Sequence, residues 1–362
     1  MRVPAVTAVA IGAAVWLAAG AARADGELAM RGVYYKEKAT RVVQPMLDAR
    51  FDVGDAGQVD AHLLVDAITS ASVASGSSGI AFSERRYEAG GGYLDRRGRW
   101  GYGASGRLSR EPDYTSLFGG LRGDVALADD NFLLGVALGA GHDSISNAGA
   151  AMMMGTPLSG TMTTLLASVS ASQIVSPRLV VGLTYDVSRL DGFQENPYRS
   201  VITAEGLVME RHPQTRRRQA WAASARWFVG RTATTVIASH RVYVDDWGIV
   251  AHTPELRVVQ EAGDAADVAI RYRYHHQSAA DFYLPSYPSA DPSDFPYLTD
   301  DVKLSAFTSH TIGFKVGVFG RAFGLDGALG DARGEVEFEY VDQNNRFGNA
   351  GIANAALILP IR

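Results

Sequence analysis

The densest group of residues able to do chemistry is Asp245-Asp246-Trp247-Gly248, followed by His252. Two carboxylates and a histidine could act as acid and base on a bound substrate. The same stretch reads equally as a tight turn, which Asp and Gly favour, with a tryptophan anchored at a lipid–water boundary. Ser239-His240 and Ser309-His310 place serines beside histidines. A nucleophilic serine must lie within hydrogen-bond reach of its base. Neighbouring residues of a strand point to opposite faces, so neither pair can be a dyad, and His275-His276 cannot hold one metal through both rings. Asp281, Asp291, Asp294, Asp300 and Asp301 could supply oxygen ligands to calcium. Their spacing fits no fixed loop motif, and a solvated loop is the expectation. The residues therefore point to no catalytic site, no resident metal and no cofactor.

A second set is charged and periodic. Arg216, Arg218, Arg226, Arg241, Arg271 and Arg273 recur on alternating positions, as do Asp48, Asp52, Asp60, Asp66, Glu335, Glu337 and Glu339. If these line a lumen, they can set a transverse field that selects solutes. They can equally pair across strands and stiffen the wall. In the first case the acidic and basic rows face each other across the pore.

The elements that position these charges are strands. Val43, Pro45, Leu47, Ala49, Phe51 and Val53 alternate with Gln44, Met46, Asp48, Arg50 and Asp52. A period of two puts one set on each face of a strand. Leu183 and Thr184, Trp221 and Arg226, and Val336 and Glu337 fall into the same scheme. After the N-terminal leader no apolar run approaches the roughly 20 residues of a membrane helix. Alternating segments of roughly 10–15 residues recur instead, with apolar residues toward lipid and polar ones toward a lumen. In lipid every backbone polar group must be paired within the protein, which leaves helices or closed barrels. The fold class expected is all-β, a transmembrane antiparallel up-and-down β-barrel of about sixteen strands.

Short connections, such as those at 54–57, 95–98, 129–130, 176–177, 230–231 and 262–264, alternate with longer ones, notably 191–215 and 278–300. Short periplasmic turns and long outer loops are the usual asymmetry. Small-residue loops are expected at 72–79 and 146–158, and a strand at 301–318. Trp100 and Trp227 fall near the short-turn rim, and Tyr243, Trp247 and Tyr283 near the long-loop rim. Aromatic belts of this kind suit the two membrane interfaces.

Residues 1–24 read as a cleaved secretory leader. Arg2 precedes an apolar core, and Ala22-Arg23-Ala24 fits the cleavage pattern. Residues 25–362 then form one barrel domain. The absence of cysteine excludes disulfides and thiolate metal sites. A formal net charge of −5 argues against nucleic acid as a partner. Outer-membrane lipid, lipopolysaccharide and the barrel assembly machinery are the partners expected, with other envelope proteins if the barrel is closed.

Several stretches resemble a bacterial family catalogued as domain of unknown function 3570. They are Tyr34-Tyr35-Lys36-Glu37 with Arg41-Val42, Val65-Asp66-Ala67, Ser109-Arg110-Glu111-Pro112-Asp113-Tyr114-Thr115-Ser116, and Asn196-Pro197-Tyr198-Arg199. Tyr243-Val244-Asp245-Asp246-Trp247-Gly248-Ile249, His252-Thr253, Arg271-Tyr272, Gln277, Ala280-Asp281-Phe282-Tyr283 and Leu304-Ser305-Ala306-Phe307 complete the set. The resemblance implies an outer-membrane barrel and no known activity. The chain ends Pro360-Ile361-Arg362, where outer-membrane barrels tend to end on an aromatic residue. The leading expectation is a porin-like passive channel for small polar solutes. The alternative is a closed barrel that anchors or exports other envelope proteins, and a surface hydrolase comes last.

Overall fold

The computed structural model describes residues 25–38, 40–70, 82–146, 159–197 and 199–361. The leader, the loop at 72–79, the loop after Ser146, Tyr198 and Arg362 lie outside the described residues. The first nine strands are β1 (Gly26–Lys36), β2 (Thr40–Val53), β3 (Gly57–Ser70), β4 (Phe82–Arg97), β5 (Trp100–Arg110), β6 (Tyr114–Leu127), β7 (Phe132–Ser146), β8 (Ser159–Ser176) and β9 (Leu179–Gly192). A small hairpin follows, β10 (Ser200–Thr203) with β11 (Gly206–Met209). The remaining strands are β12 (Thr215–Val229), β13 (Thr234–Asp245), β14 (Val250–Ala262), β15 (Ala266–Gln277), β16 (Phe307–Phe319), β17 (Arg333–Gln343) and β18 (Ala350–Ile361).

Apart from the β10–β11 hairpin, sixteen strands form one closed antiparallel barrel, with β18 paired to β1. Each strand's backbone groups are thus met by its neighbours, and no sheet edge is left open. The register keeps one parity all the way round. Leu121, Leu138, Leu165, Leu183, Ile270, Ile312 and Val336 all stand exposed on the outer face. A band of bare leucine, isoleucine and valine around a barrel is a surface made for lipid. No helix among the described residues is long and apolar enough to cross a membrane.

The connections depart from expectation in three places. The segment 301–318 is not all strand: a 3-10 turn at Val302–Leu304 precedes β16. Asp301 caps that turn by accepting from the Lys303 N–H at 3.0 Å, which competes with extension. The segment 191–215 carries the β10–β11 hairpin, and Trp247 and the loop at 278–306 fold against it. At the end of the barrel bearing Gly26 and Ile361, the turns are short except for residues 320–332. There a 3-10 turn (Gly320–Phe323) and a short helix α1 (Gly327–Asp331) intervene, with Phe323 and Leu329 exposed.

Candidate functional site

The inner face is lined by charge. All twelve charged positions expected in the lumen, Asp48, Asp52, Asp60, Asp66, Arg218, Arg226, Arg241, Arg271, Arg273, Glu335, Glu337 and Glu339, share the parity opposite the exposed apolar rows. Arg216 joins them. They do not form two opposed rows. Glu339 on β17 and Arg271 on β15 share one row, with Gly313 of β16 between them, and they form an ion pair. Glu255 of β14 meets the same guanidinium at 2.9 Å. Glu335 binds Lys315 at 2.8 Å and Arg333 at 2.7 Å, and Arg333 reaches Asp267 at 2.5 Å. Glu337 accepts from Asn354 at 3.3 Å. On the other side of the barrel, Asp48 takes Arg31 at 3.5 Å and His62 at 2.5 Å, and Asp66 takes Arg86 at 2.6 Å. The acidic row of β17 is therefore spent on neighbours in the wall.

Several inward-facing arginines have no such partner. Among the described residues, Arg218, Arg241 and Arg273 have no carboxylate within 4.0 Å. Arg273 stands opposite Glu255 in the register, but that carboxylate is turned to Arg271. Arg241 lies over the Tyr243 ring at 5.7 Å. The Arg218 Nε is buried with no hydrogen-bond partner. These cations lie on β12, β13 and β15, in the half of the barrel toward the long loops. An arginine keeps its charge at any physiological pH, so they make a fixed positive patch. Arg226, nearer the short turns, likewise has no ion pair among the described residues.

At the loop end, Asp245 is fully engaged. It accepts from Arg216 at 2.5 Å, from the Tyr243 hydroxyl at 2.7 Å, and from the backbone N–H groups of Trp247 and Ile249 at 3.1 and 3.0 Å. Asp246 accepts from the Arg217 N–H at 2.9 Å. Both carboxylates build a turn, and neither is presented to a substrate. Gly248 adopts φ +86°, and a Cβ there would run into the Asp281 carboxylate, so the turn admits only glycine.

Two expectations at this lip are corrected. Trp247 is not a lipid anchor. It is 4% exposed, packs with Ile249, Ala280 and Leu304, and donates from Nε1 to the Thr215 carbonyl at 2.9 Å. Tyr243 faces the lumen, and Tyr283 packs against the Trp247 cluster, so neither joins an outer belt. His252 does not meet the aspartates. The register turns it outward beside His240, with ring centroids 5.6 Å apart. Ser239 and Ser309 face inward while His240 and His310 face outward. His275 faces in and His276 out by the same alternation.

The segment 278–306 is a folded assembly rather than a solvated loop. Leu298 and Thr299 are fully buried. Glu210, with a fully buried side chain, accepts from the Thr299 hydroxyl at 2.7 Å and the Asp300 N–H at 3.0 Å, and pairs with Arg199. Arg199 also meets Asp301 at 3.0 Å. Tyr287 bonds the Phe282 carbonyl at 2.7 Å, and burial raises its hydroxyl pKa above the ordinary value. Asp300 binds Arg346, and Asp291 accepts from Ser293. Asp291, Asp300 and Asp301 are thus engaged within the loops. Sequence reading missed Glu210, whose partners Thr299 and Asp300 lie about ninety residues further on, and His212, which packs against Trp247 and Phe282.

The model of the family described as "Protein of unknown function (DUF3570)" matches residues 81–360. The chain belongs to this family. Four of the stretches that carry the DUF3570 resemblance converge at the loop end. Arg199, Asp245 with Trp247, Ala280 with Phe282, and Leu304 meet in the packing just described. The stretches at Tyr34–Glu37 and Val65–Ala67 precede the matched range.

No curated protein matches the sequence. Among solved structures, a bacterial polysaccharide outer membrane secretin is similar in fold, with TM-score 0.52 at 9% identity, covering 93% of this chain and 98% of that one. Pseudomonas aeruginosa OccK2 (OpdF) aligns with TM-score 0.45 at 9% identity over 94% of this chain and 98% of that one. Pseudomonas aeruginosa OprD aligns with TM-score 0.47 at 7% identity, over 94% and 95%. At these identities the likeness concerns the barrel and not its cargo.

Proposed function

We propose that this DUF3570 member is a passive outer-membrane channel for small polar solutes, with a preference for anions in the half of the lumen toward the long loops. The observation that carries this reading is the set Arg218, Arg241 and Arg273, inward-facing and, among the described residues, without carboxylate partners, beside a stretch of wall where Arg216, Arg271, Lys315 and Arg333 are paired. A wall built only for rigidity gains nothing from leaving cations uncompensated, because like charges repel and desolvation costs. A water-filled pore bounded by lipid focuses such a field on passing ions. A cavity of about 820 Å³ at the short-turn end, lined by Asp52, Arg96, Arg122 and Asp124 among others, gives room for solute and water there.

The interlocked loops support a second reading, a barrel closed at the loop end and used as an anchor or export partner. Liposome swelling separates the two. Purified protein in liposomes should admit small organic anions faster than neutral sugars of equal size. Liposomes that stay impermeable to both, with the barrel folded, would favour the closed barrel. The outward bands of apolar side chains and the expected leader support an outer-membrane location, which membrane fractionation tests.

A further inference from the structure

β18 carries small residues on its outer face where its two neighbours carry rings. Ala353 stands between Tyr34 of β1 and Phe338 of β17 in one row. Gly351 stands between Lys36 and Tyr340 in the next row toward the loops. Tyr34, Phe338 and Tyr340 are all exposed on the lipid-facing side. The short side chains of β18 therefore form the floor of a groove of about 320 Å³, with Tyr34 and Phe338 as its walls. It lies at the loop end, where β1 ends and β18 begins, and Lys36 and Asn349 border it there. A Cβ on Gly351 would meet nothing within 4 Å.

Two cations meet at the mouth of this groove. Arg41 of β2 stands directly opposite Lys36. They keep the outward parity of Tyr34 and Val43, the exposed pair one step below them in the same register. Lys36 and Arg41 are themselves exposed, and among the described residues neither has a carboxylate within 4.0 Å. Glu37 also borders the groove, but its carboxylate accepts from the Tyr35 hydroxyl at 3.0 Å. Asp342, outward on β17, stands opposite His310 on the side away from β18. Like charges directly opposite on paired strands repel. An anion held between them removes that cost, and phosphate takes charge-assisted hydrogen bonds from both lysine and arginine.

We propose that the groove seats one phosphorylated lipid of the outer leaflet, a lipopolysaccharide with an acyl chain between Tyr34 and Phe338 and a phosphate on Lys36 and Arg41. The groove is continuous with the apolar band that faces the bilayer, so an acyl chain covers it without leaving hydrocarbon. A free phosphate ion would use the two cations and leave the apolar walls bare. The inference rests on an outer-membrane barrel with its loop end outward, and it is independent of whether the lumen conducts.

The test is native mass spectrometry of the full chain, released from detergent micelles and titrated with diphosphoryl lipid A. Wild-type protein should hold one lipid per chain. Gly351→Leu puts a side chain into the open space of the groove and should lose that binding while keeping heat-modifiable gel migration. Lys36→Gln with Arg41→Gln should weaken binding about tenfold or more, the scale for two cations at an anionic lipid surface. Lipid A stripped of phosphate should bind wild-type protein as weakly as diphosphoryl lipid A binds that double variant. Leu165→Ala, on the lipid-facing row of β8 across the barrel, should bind as wild type. Inorganic phosphate at matched concentration should not displace the lipid; displacement would show that the cations alone make the site and would overturn the proposal. So would binding unchanged in Gly351→Leu, or a folded wild-type protein that retains no lipid or buries this face in a dimer instead.

Discussion

Arg271 and Glu339 sit two strands apart and meet across Gly313, whose missing side chain leaves the gap they close. A Cβ on Gly313 would stand 3.1 Å from the Glu339 Oε1 and 3.5 Å from the Arg271 Cβ. Arg273, one step along the same inner face, has no such partner. Two arginines of one strand thus have different tasks: one braces the wall and the other faces the lumen uncompensated.

This difference predicts a split between two charge reversals. Arg271→Glu leaves Glu255 and Glu339 facing a third carboxylate and should destabilise the barrel by about 1–3 kcal/mol, between the values for exposed and buried pairs. Arg273→Glu should cost less and shift ion selectivity toward cations. Unfolding in urea and reversal potential across a salt gradient report the two effects. Equal stability loss in both variants would contradict the assignment.

On β9 the register puts Leu183 outward, 64% exposed, and Thr184 inward opposite Ser170 and Ala222. Leu183→Arg should cost on the order of 2–4 kcal/mol, because it sets a charge near the middle of the lipid-facing band. Thr184→Arg should fold normally. Heat-modifiable gel migration of each variant, assembled into lipid, checks the parity.

Trp247 holds the loop assembly to the barrel rim through Thr215, Ile249, Ala280 and Leu304. Trp247→Ala should remove about 3–5 kcal/mol of local packing. The barrel itself rests on strand hydrogen bonds and should persist. Limited proteolysis should then cut within 278–306 while leaving a folded barrel, whereas wild-type protein should resist.

The raised Glu111 carboxyl makes stability depend on pH. A carboxyl whose folded pKa lies above its unfolded value stabilises the fold in full below the unfolded pKa, about 4.3. That contribution is lost as pH rises through the raised folded value. The melting temperature should therefore fall over this window on going up in pH. Glu111→Gln should flatten that fall. A melting temperature that rises through the same window, with no difference between the two proteins, would contradict the burial of this group.

Topology gives a further test. A tag inserted between Asp291 and Ser293 lies in the loop end and should be reached by antibody on intact cells. A tag at Gly230-Arg231 lies in the opposite set of turns and should be reached only after the membrane is opened. Reversed labelling would invert the orientation.

The barrel was legible because a strand's faces follow from counting by two. Leu183, Thr184, Arg271 and Glu339 all fall on the faces that alternation assigns them. Which strands' charges meet was not legible, because pairing along a row depends on the barrel's shear and on small residues such as Gly313. Trp247 was misread for a different reason: a tryptophan at a strand end looks the same whether lipid or a folded loop covers it. The Asp301 region alternates like a strand, but its side-chain cap wins locally. Glu210, Thr299 and Arg199 come together through long-range loop packing that no local pattern encodes.

The central claim is an open, charge-selective lumen, and single-channel recording tests it most directly. Purified full-length protein in a planar bilayer should give discrete current steps whose reversal potential, under a potassium chloride gradient, favours chloride. The steps should lose that preference when Arg218, Arg241 and Arg273 are all replaced by glutamine. A heat-modifiable, correctly folded barrel that gives no steps at all would contradict the account.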